Sequence, residues 1–146
     1  MQVLTARGNY AAALLCYREL RLLLHRELSN EPDPQTQTLF QQLSKDGIAI
    51  SIITYSEIYE GILAGYNPQT GKRVFRAFLK GATVLSVSRA VAEVNASIRA
   101  QLRAQRKPVS QRALDLLIAA TAIHYGLTLV TRNARDYADV PRLQRY

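Results

Sequence analysis

Three acidic side chains stand where carboxylates could take part in catalysis or hold a metal. Glu57 and Asp136 lie just beyond two apolar runs, at 48–53 and 127–131, and Asp115 opens the apolar run 116–123. Carboxylates at the ends of parallel strands, or on a helix packed there, meet at the edge of the sheet where ligands bind. Because the chain has one cysteine and two scattered histidines, any metal must be held by oxygen.

Two of these acids also have a purely structural interpretation. Glu57 could complete a capping box by accepting a hydrogen bond from the backbone N–H of Thr54. Asp115 precedes a segment that is apolar around its whole circumference and therefore buried. A buried carboxylate needs a metal or a charge partner, which Arg112 or Arg132 could supply.

Asn133 and Asp136 belong to the segment TRNARDY at 131–137, directly after the third apolar run. An amide and a carboxylate at a strand end could complete the same site. Either side chain could instead cap the turn that follows. The spacing leaves both interpretations open.

The elements that must position these residues alternate between strand and helix. The pattern predicts strands at 48–53, 83–87 and 127–131, and helices from 54, at 68–80, at 88–106 and at 111–125. Ser88 and Ser110 are expected to cap the last two helices, and Gly126 to end the second of them. The order from residue 48 is βααβααβ, which predicts an α/β fold of three layers, α/β/α, around a parallel sheet.

The first 46 residues are predicted to be a separate helical segment. Apolar residues repeat at helical spacing over 10–28, Pro32 and Pro34 interrupt the pattern, and a second helix is expected to run to about 44. The sequence Lys45-Asp46-Gly47 marks the break. We therefore divide the chain into a helical pair at 1–46 and a second domain at 47–146.

Positive charge is confined to the second domain. Residues 1–46 carry five basic and five acidic side chains, whereas residues 47–146 carry 14 basic and 6 acidic ones and so hold the whole net charge of +8. Arg99, Arg103 and Arg106 fall at i, i+4 and i+7 of a predicted helix, and Lys107 and Arg112 follow them. The bias suits RNA or an acidic protein as partner, although it could serve solubility alone.

The composition is that of a soluble domain with its own core, 48% hydrophobic and 21% charged over 146 residues. Its longest uncharged apolar run, 116–123, is far shorter than the roughly 20 residues of a membrane-spanning helix. The apolar stretch 11–16 continues into Arg18 and Glu19 without a cleavage site. We expect a cytoplasmic protein without a membrane span.

Three segments of the second domain stand out as motifs: IAISIITYSEIYEG at 48–61, DLLIAATA at 115–122 and LTLVTRNARDY at 127–137. In this order they resemble successive blocks of the PIN-domain ribonucleases of the VapC toxin family. The resemblance implies a carboxylate pocket that binds Mg²⁺ or Mn²⁺ and cleaves RNA, with tRNA as a typical substrate. It also implies a VapB-like antitoxin as partner, and a homodimer.

Carried over to this chain, the resemblance makes Glu57 and Asp115 the metal-binding acids, with Asn133 and Asp136 completing the site. For RNA binding we add five arginines, each of which could also be an ordinary surface charge. They are Arg99, Arg103, Arg106, Arg132 and Arg135.

The first strand of such a PIN domain, which normally ends in a catalytic aspartate at the middle of the sheet, is not recognisable before Gly47. Instead, GNYAAAL at 8–14 and the residues that follow, to about 43, resemble the tail of a bacterial transcriptional activator domain, a tetratricopeptide-like module. Residues 1–5 could enter the sheet as the missing strand, placing Thr5 near the position of the aspartate. Otherwise the first 46 residues pack outside a gapped sheet.

Three functions follow from these features. The first is a metal-dependent endoribonuclease of the VapC toxin class, impaired if the first aspartate is missing. The second is a catalytically inactive PIN-like module that binds RNA or an antitoxin. The third is a regulatory helical adaptor built around residues 1–46.

Overall fold

A parallel sheet of four strands organises the part of the chain that the structure describes. The computed structural model describes the backbone of residues 13–15, and residues 47–131 and 133–145. The strands are β1 (Ala13–Leu15), β2 (Ile48–Ser51), β3 (Ala82–Leu85) and β4 (Thr128–Val130). Their order in the sheet is β3-β2-β1-β4, with every pair parallel.

Residues of the N-terminal segment complete the sheet. Ala13 pairs with Ile48 of β2 on one side and with Thr128 of β4 on the other, and Leu14 continues both ladders. The prediction of a helix over 10–28 is therefore wrong at 13–15, because a short apolar run has no periodicity that separates helix from buried strand. The sheet has no gap, so the alternative that residues 1–46 pack outside it is also wrong. Residues 1–5 lie outside the described part, and the central place belongs to β1.

Within the described residues, four helices follow the predicted order with small shifts at their ends. They are α1 (Ile52–Leu63), α2 (Pro68–Leu79), α3 (Arg89–Ala104) and α4 (Ala113–Tyr125), and a short 3₁₀ helix (Ala134–Tyr137) follows β4. Ser88 caps α3 as predicted, and Gly126 ends α4 with a φ of 65°. The predicted cap at Ser110 is wrong, because α4 begins only at Ala113.

The helices cover both faces of the sheet, which confirms the three-layer α/β/α architecture. Ile48 and Ile50 of β2 pack into one core with Ile58 of α1 and Phe75 of α2. The alternate strand residues point to the opposite face of the sheet. There they form a second core with α3 and α4, which includes Ala49, Val91, Ile98, Leu116 and Leu129. The uncharged sequence of β2 is explained by burial on both sides.

The C-terminal segment lies along the outer side of β4. The backbone N–H of Leu129 donates to the carbonyl of Gln144 over 2.9 Å, and Leu129 forms a bridge with Arg145. This pairing covers part of a strand edge that would otherwise be open. In the described residues, no helix is both long and apolar enough to span a membrane.

Candidate active site

Glu57 is brought to the carboxyl edge of the sheet by a sharp turn from strand to helix. β2 ends at Ser51, whose Oγ accepts a hydrogen bond of 3.0 Å from the backbone N–H of Thr54 and caps α1. Ser51 Oγ also lies 3.0 Å from Thr54 Oγ1, and both residues are fully buried. The capping box predicted for Thr54 and Glu57 is therefore wrong: the helix starts two residues earlier than expected, and Glu57 lies in its second turn.

Asp115 lies in the first turn of α4, at the same edge. Negative charge is favoured there by the helix dipole. Its Oδ1 accepts a hydrogen bond of 3.2 Å from the hydroxyl of Tyr137, whose ring is 2% exposed. The charge pair predicted for Asp115 with Arg112 is not formed, because Arg112 binds Asp139 instead. Arg132, the other predicted partner, lies outside the described residues.

Glu57 and Asp115 lie close enough for their charges to repel each other. Both side chains are partly buried, and the helices that carry them, α1 and α4, are in contact. Burial raises the pKa of Glu57 above its ordinary value of 4.5, and the charges of Asp115 and Glu60 raise it further. A proton or a cation between the two carboxylates would relieve this repulsion.

The loop after β4 orders Asn133 and Asp136 next to each other. The backbone N–H of Asn133 donates to Thr131 Oγ1 over 3.1 Å, and the side-chain amide of Asn133 donates to Oδ2 of Asp136. Asp136 is exposed and Asn133 is half-buried. Neither side chain caps the short 3₁₀ helix that starts at Ala134.

A bidentate ion pair that the sequence analysis did not anticipate fastens this loop to the start of α4. The two terminal nitrogens of Arg112 donate to the two carboxylate oxygens of Asp139 over 2.9 and 2.8 Å. One of these nitrogens also donates to the backbone carbonyl of Asp136. The two residues are 27 positions apart, so the pair could not be predicted from the sequence. Its one local sign is that Asp139 is an acidic residue three positions after Asp136.

The donor chemistry of this edge fits a hard divalent cation held by two carboxylates. Mg²⁺ usually takes one or two carboxylates from the protein and keeps water or substrate phosphate as its other ligands. Glu57 and Asp115 meet that requirement. Over 47–131 and 133–145, no three side chains of His, Cys, Asp or Glu form a group that could hold a metal. The metal-binding role of Asp136 stays a prediction.

The predicted arginine stripe is shorter than its spacing suggested. α3 ends at Ala104, and Arg106 lies beyond it in a left-handed turn with a φ of 58°. Arg99 is half-buried and donates to the carbonyl of Val109 over 3.3 Å. Arg103, Arg106 and Arg135 are exposed, and their roles in RNA binding stay predictions.

A shallow apolar groove of about 740 Å³ lies along α1, next to the turn that carries Glu57. Its lining includes Ile52, Tyr55, Tyr59 and Leu63, which repeat at intervals of three and four residues. The rings of Tyr55 and Tyr59 are stacked, with centroids 5.9 Å apart. This groove was not predicted from the sequence, although the second apolar stripe of α1 is visible in the spacing of its residues.

A family comparison decides the assignment of the fold. The PIN domain model matches residues 24–143, which is most of the chain. The chain belongs to the PIN-domain family. The VapC ribonucleases within this family are its relatives: a tRNA(fMet)-specific endonuclease VapC of Shigella flexneri is 31% identical over 102 residues, 70% of this chain and 76% of that protein. A ribonuclease VapC2 of Haemophilus influenzae is 32% identical over 97 residues, 66% of this chain and 72% of that protein.

Two solved VapBC structures share the fold of this chain. The VapBC2 structure from Rickettsia felis, bound to a DNA fragment of its promoter, superposes with a TM-score of 0.81 at 21% identity. The DNA-bound VapBC structure from Salmonella typhimurium gives 0.80 at 23% identity. The superpositions cover 92% of this chain in both cases, and 97% and 96% of the matched chains. Because these sequence identities are low, the structural similarity establishes the shared fold alone.

A second family model, the bacterial transcriptional activator domain, matches residues 1–44 and agrees with the resemblance noted for this segment. The two matches overlap, because the PIN match begins at residue 24. Together with β1, the overlap shows that PIN features extend into the N-terminal segment. The predicted division between residues 46 and 47 stays a prediction.

Proposed function

We propose that this protein is a metal-dependent endoribonuclease of the VapC toxin class that acts on tRNA or another structured RNA in the cytoplasm. The observation that carries the proposal is the proximity of Glu57 and Asp115 at the carboxyl edge of the sheet, where burial, and then the charge of Asp115, raises the pKa of Glu57. Membership of the PIN-domain family supports it, as does the tRNA named in the description of the Shigella relative.

In this proposal Glu57 and Asp115 hold Mg²⁺ or Mn²⁺. The cation, when bound, supplies Lewis acidity and an activated water for hydrolysis of a phosphodiester. Tyr137 orients the carboxylate of Asp115 through its hydroxyl. Asn133 orients Asp136, and the exposed side chain of Arg135 stands in the same loop, where it can attract phosphate.

The catalytic power of the site is reduced by the sequence around β1. Residues 1–18 contain no acidic side chain, and the first acid after Leu15 is Glu19. The central strand therefore brings no aspartate at its end. Fewer negative ligands lower the affinity for a divalent cation, so we infer slow cleavage that needs high concentrations of metal.

Cleavage of labelled tRNA across a series of Mg²⁺ and Mn²⁺ concentrations tests the enzyme proposal. Asp115→Asn should abolish any cleavage, whereas Glu93→Gln, a change at an exposed acid of α3, should leave it intact. A wild-type protein that cleaves at no metal concentration refutes the catalytic claim. Salt-sensitive RNA binding without turnover would then support the alternative, an inactive PIN-like binding module.

For partners, we propose a VapB-like antitoxin that places an apolar segment in the groove along α1. The solved relatives are VapBC complexes, and the groove offers exposed apolar surface at Ile52 and Leu63, which are 37% and 53% exposed. The Nζ of Lys72, 5.8 Å from the ring centre of Tyr59, adds a positive charge for an acidic residue on the partner.

Co-purification with the product of the neighbouring gene tests the groove. Leu63→Asp should weaken that complex, and Tyr66→Asp, which changes an exposed tyrosine outside the groove, should not. The predicted homodimer is tested by the mass of the protein alone in solution. If Leu63→Asp converts a dimer into a monomer without affecting the antitoxin, the groove joins two copies of this chain instead.

A further inference from the structure

Arg112 connects two of the three segments that carry the acids of the site, the start of α4 and the loop after β4. Its backbone starts α4, since the carbonyl of Arg112 accepts from the N–H of Leu116 over 2.9 Å, and Asp115 lies within that first turn. Its side chain crosses to the loop after β4, where it holds the carboxylate of Asp139 and the backbone carbonyl of Asp136. One side chain thus sets the spacing between both segments.

The pair is of the strong, geometrically specific type. Two parallel hydrogen bonds join the guanidinium to the carboxylate, and the two side chains are only 16% and 19% exposed. The hydrogen bond from Arg112 lowers the pKa of Asp139, and that same bond raises the pKa of Arg112. Lys107 adds a weaker contact, with 3.6 Å between its Nζ and Asp139.

The same contacts leave Arg112 little capacity to bind RNA. Both of its terminal nitrogens already donate within the protein. Its Nε is buried and, within the part of the chain described, has no hydrogen-bond partner. An arginine that binds phosphate must have its guanidinium group accessible to solvent. Arg103 and Arg135 are exposed and meet this condition.

We propose that Arg112 is a positioning residue of the active site, which, with Asp139, fixes the loop 133–139 against α4 so that Tyr137 can hold the carboxylate of Asp115. This inference rests on the proposed function for its consequence in catalysis. The Arg112–Asp139 pair acts through geometry: without it, the backbone of the loop shifts relative to the start of α4, and the Tyr137–Asp115 hydrogen bond is weakened although the ring of Tyr137 stays in the core. Supporting contacts behind metal ligands typically change metal affinity by about 10-fold to 100-fold.

Two measurements that need no RNA test the proposal. The first is hydrogen exchange of the loop amides of Asp136, Ala138 and Val140, which donate to backbone carbonyls in the folded protein. The second is Mn²⁺ affinity, followed by the electron paramagnetic resonance of the free ion. Arg112→Gln should speed exchange of these amides about tenfold and weaken Mn²⁺ binding about tenfold. Arg73→Gln, at an exposed site on α2, is the matched control and should change neither.

Three further variants sharpen the test. Asp139→Asn should reproduce both effects, and it serves in place of Arg112→Gln if that variant does not fold. The double variant should be no worse than either single one, because both changes break the same pair. Arg112→Lys keeps the charge but loses the fork, so it should resemble Arg112→Gln.

Loop exchange that stays unchanged in Arg112→Gln and Asp139→Asn overturns the proposal. Faster exchange with unchanged Mn²⁺ affinity also overturns it, because the pair would then serve stability alone. An Arg112→Lys variant that matches the wild type would show that charge rather than geometry matters. A wild type that binds Mn²⁺ but cleaves no RNA refutes the proposed function, while the exchange and affinity data still decide the role of Arg112.

Discussion

The hydroxyl of Tyr137 donates a hydrogen bond to Oδ1 of Asp115 over 3.2 Å, joining residues 22 positions apart. The ring of Tyr137 is part of the core that lies against α3 and α4, so the position of its hydroxyl is fixed relative to the edge of the sheet. The carboxylate of Asp115 is thereby oriented by a side chain that cannot move far. Among the described residues, no buried side chain supports the two other acids in this way: Asp136 is exposed, and Glu57 is repelled by its neighbours.

Removing only that hydroxyl tests its role. Tyr137→Phe keeps the buried ring and should destabilise the protein by about 1 kcal/mol, the value of a typical hydrogen bond. Mn²⁺ affinity should fall at the same time, because Asp115 gains rotational freedom. Chemical denaturation and Mn²⁺ titration measure the two effects. Full Mn²⁺ affinity in Tyr137→Phe would show that Asp115 does not depend on this bond.

Glu57 gives a pH dependence whose sign is fixed by its raised pKa. The protonated form is favoured in the folded protein, so its contribution to stability is complete below pH 4.5 and is lost as the pH rises through the raised pKa. Glu57→Gln should therefore stabilise the metal-free protein at neutral pH by about 0.5 kcal/mol, a small gain because water screens a half-exposed carboxylate.

Thermal unfolding in a chelating buffer at several pH values measures this effect, with Glu93→Gln as the exposed control. Adding Mn²⁺ should stabilise the wild type and not Glu57→Gln, since a proton and a cation compete for the same carboxylate. A Glu57→Gln variant that is less stable than the wild type at neutral pH would contradict the repulsion between Glu57 and Asp115.

The two serine N-caps, Ser51 and Ser88, differ in burial, so the stability lost when each is replaced by alanine should also differ. Ser51 is fully buried, and its hydroxyl bonds both the backbone and the side chain of Thr54, whereas Ser88 is exposed and, among the described residues, its hydroxyl bonds only the N–H of Val91. Ser51→Ala should cost about 2 kcal/mol and Ser88→Ala about 1 kcal/mol. Denaturation midpoints compare them. Equal losses would show that burial of the Ser51 hydroxyl adds nothing to its capping.

The central position of β1 is tested by its backbone. Leu14 lies between β2 and β4, and a proline there removes an N–H and fixes φ inside a strand that is paired on both sides. Leu14→Pro should be at least about 3 kcal/mol less stable than Leu14→Ala, which keeps the N–H. Circular dichroism during urea unfolding measures the difference. Equal stability of the two variants would exclude β1 from the sheet.

Restoring a carboxylate after β1 should strengthen the metal site. Cys16 follows Leu15, the last residue of β1, in the sequence, and the two strands that pair with β1 lead to Glu57 and Asp136. Cys16→Asp should tighten Mn²⁺ binding on the order of tenfold, because each added negative ligand raises the affinity for a hard cation. Cys16→Asn is the control of equal size without charge. If both variants bind Mn²⁺ alike, position 16 does not reach the site.

Much of the fold could be predicted from residue 48 onward. The apolar run at 48–53, the cap at Ser88 and the left-handed Gly126 are local features: the strand begins at Ile48 as predicted, and the cap and the helix end lie where the pattern placed them. The errors in the predicted bounds of strands and helices arose where contacts with neighbouring elements determine the boundary. Ile52 and Ile53 suit a strand by their type, yet the buried cap at Ser51 starts the helix before them.

What the sequence by itself determined is the set of elements after residue 47, the excess of positive charge in that region, and Glu57 and Asp115 as candidate acids. Periodicity and caps act over a few residues, so they can be recognised without the rest of the chain. Tertiary structure alone decided that Ala13–Leu15 form the central strand, that Tyr137 holds Asp115 and that Arg112 holds Asp139. Those contacts join residues 22 to 115 positions apart, and their energy comes from burial between elements, which no local pattern contains.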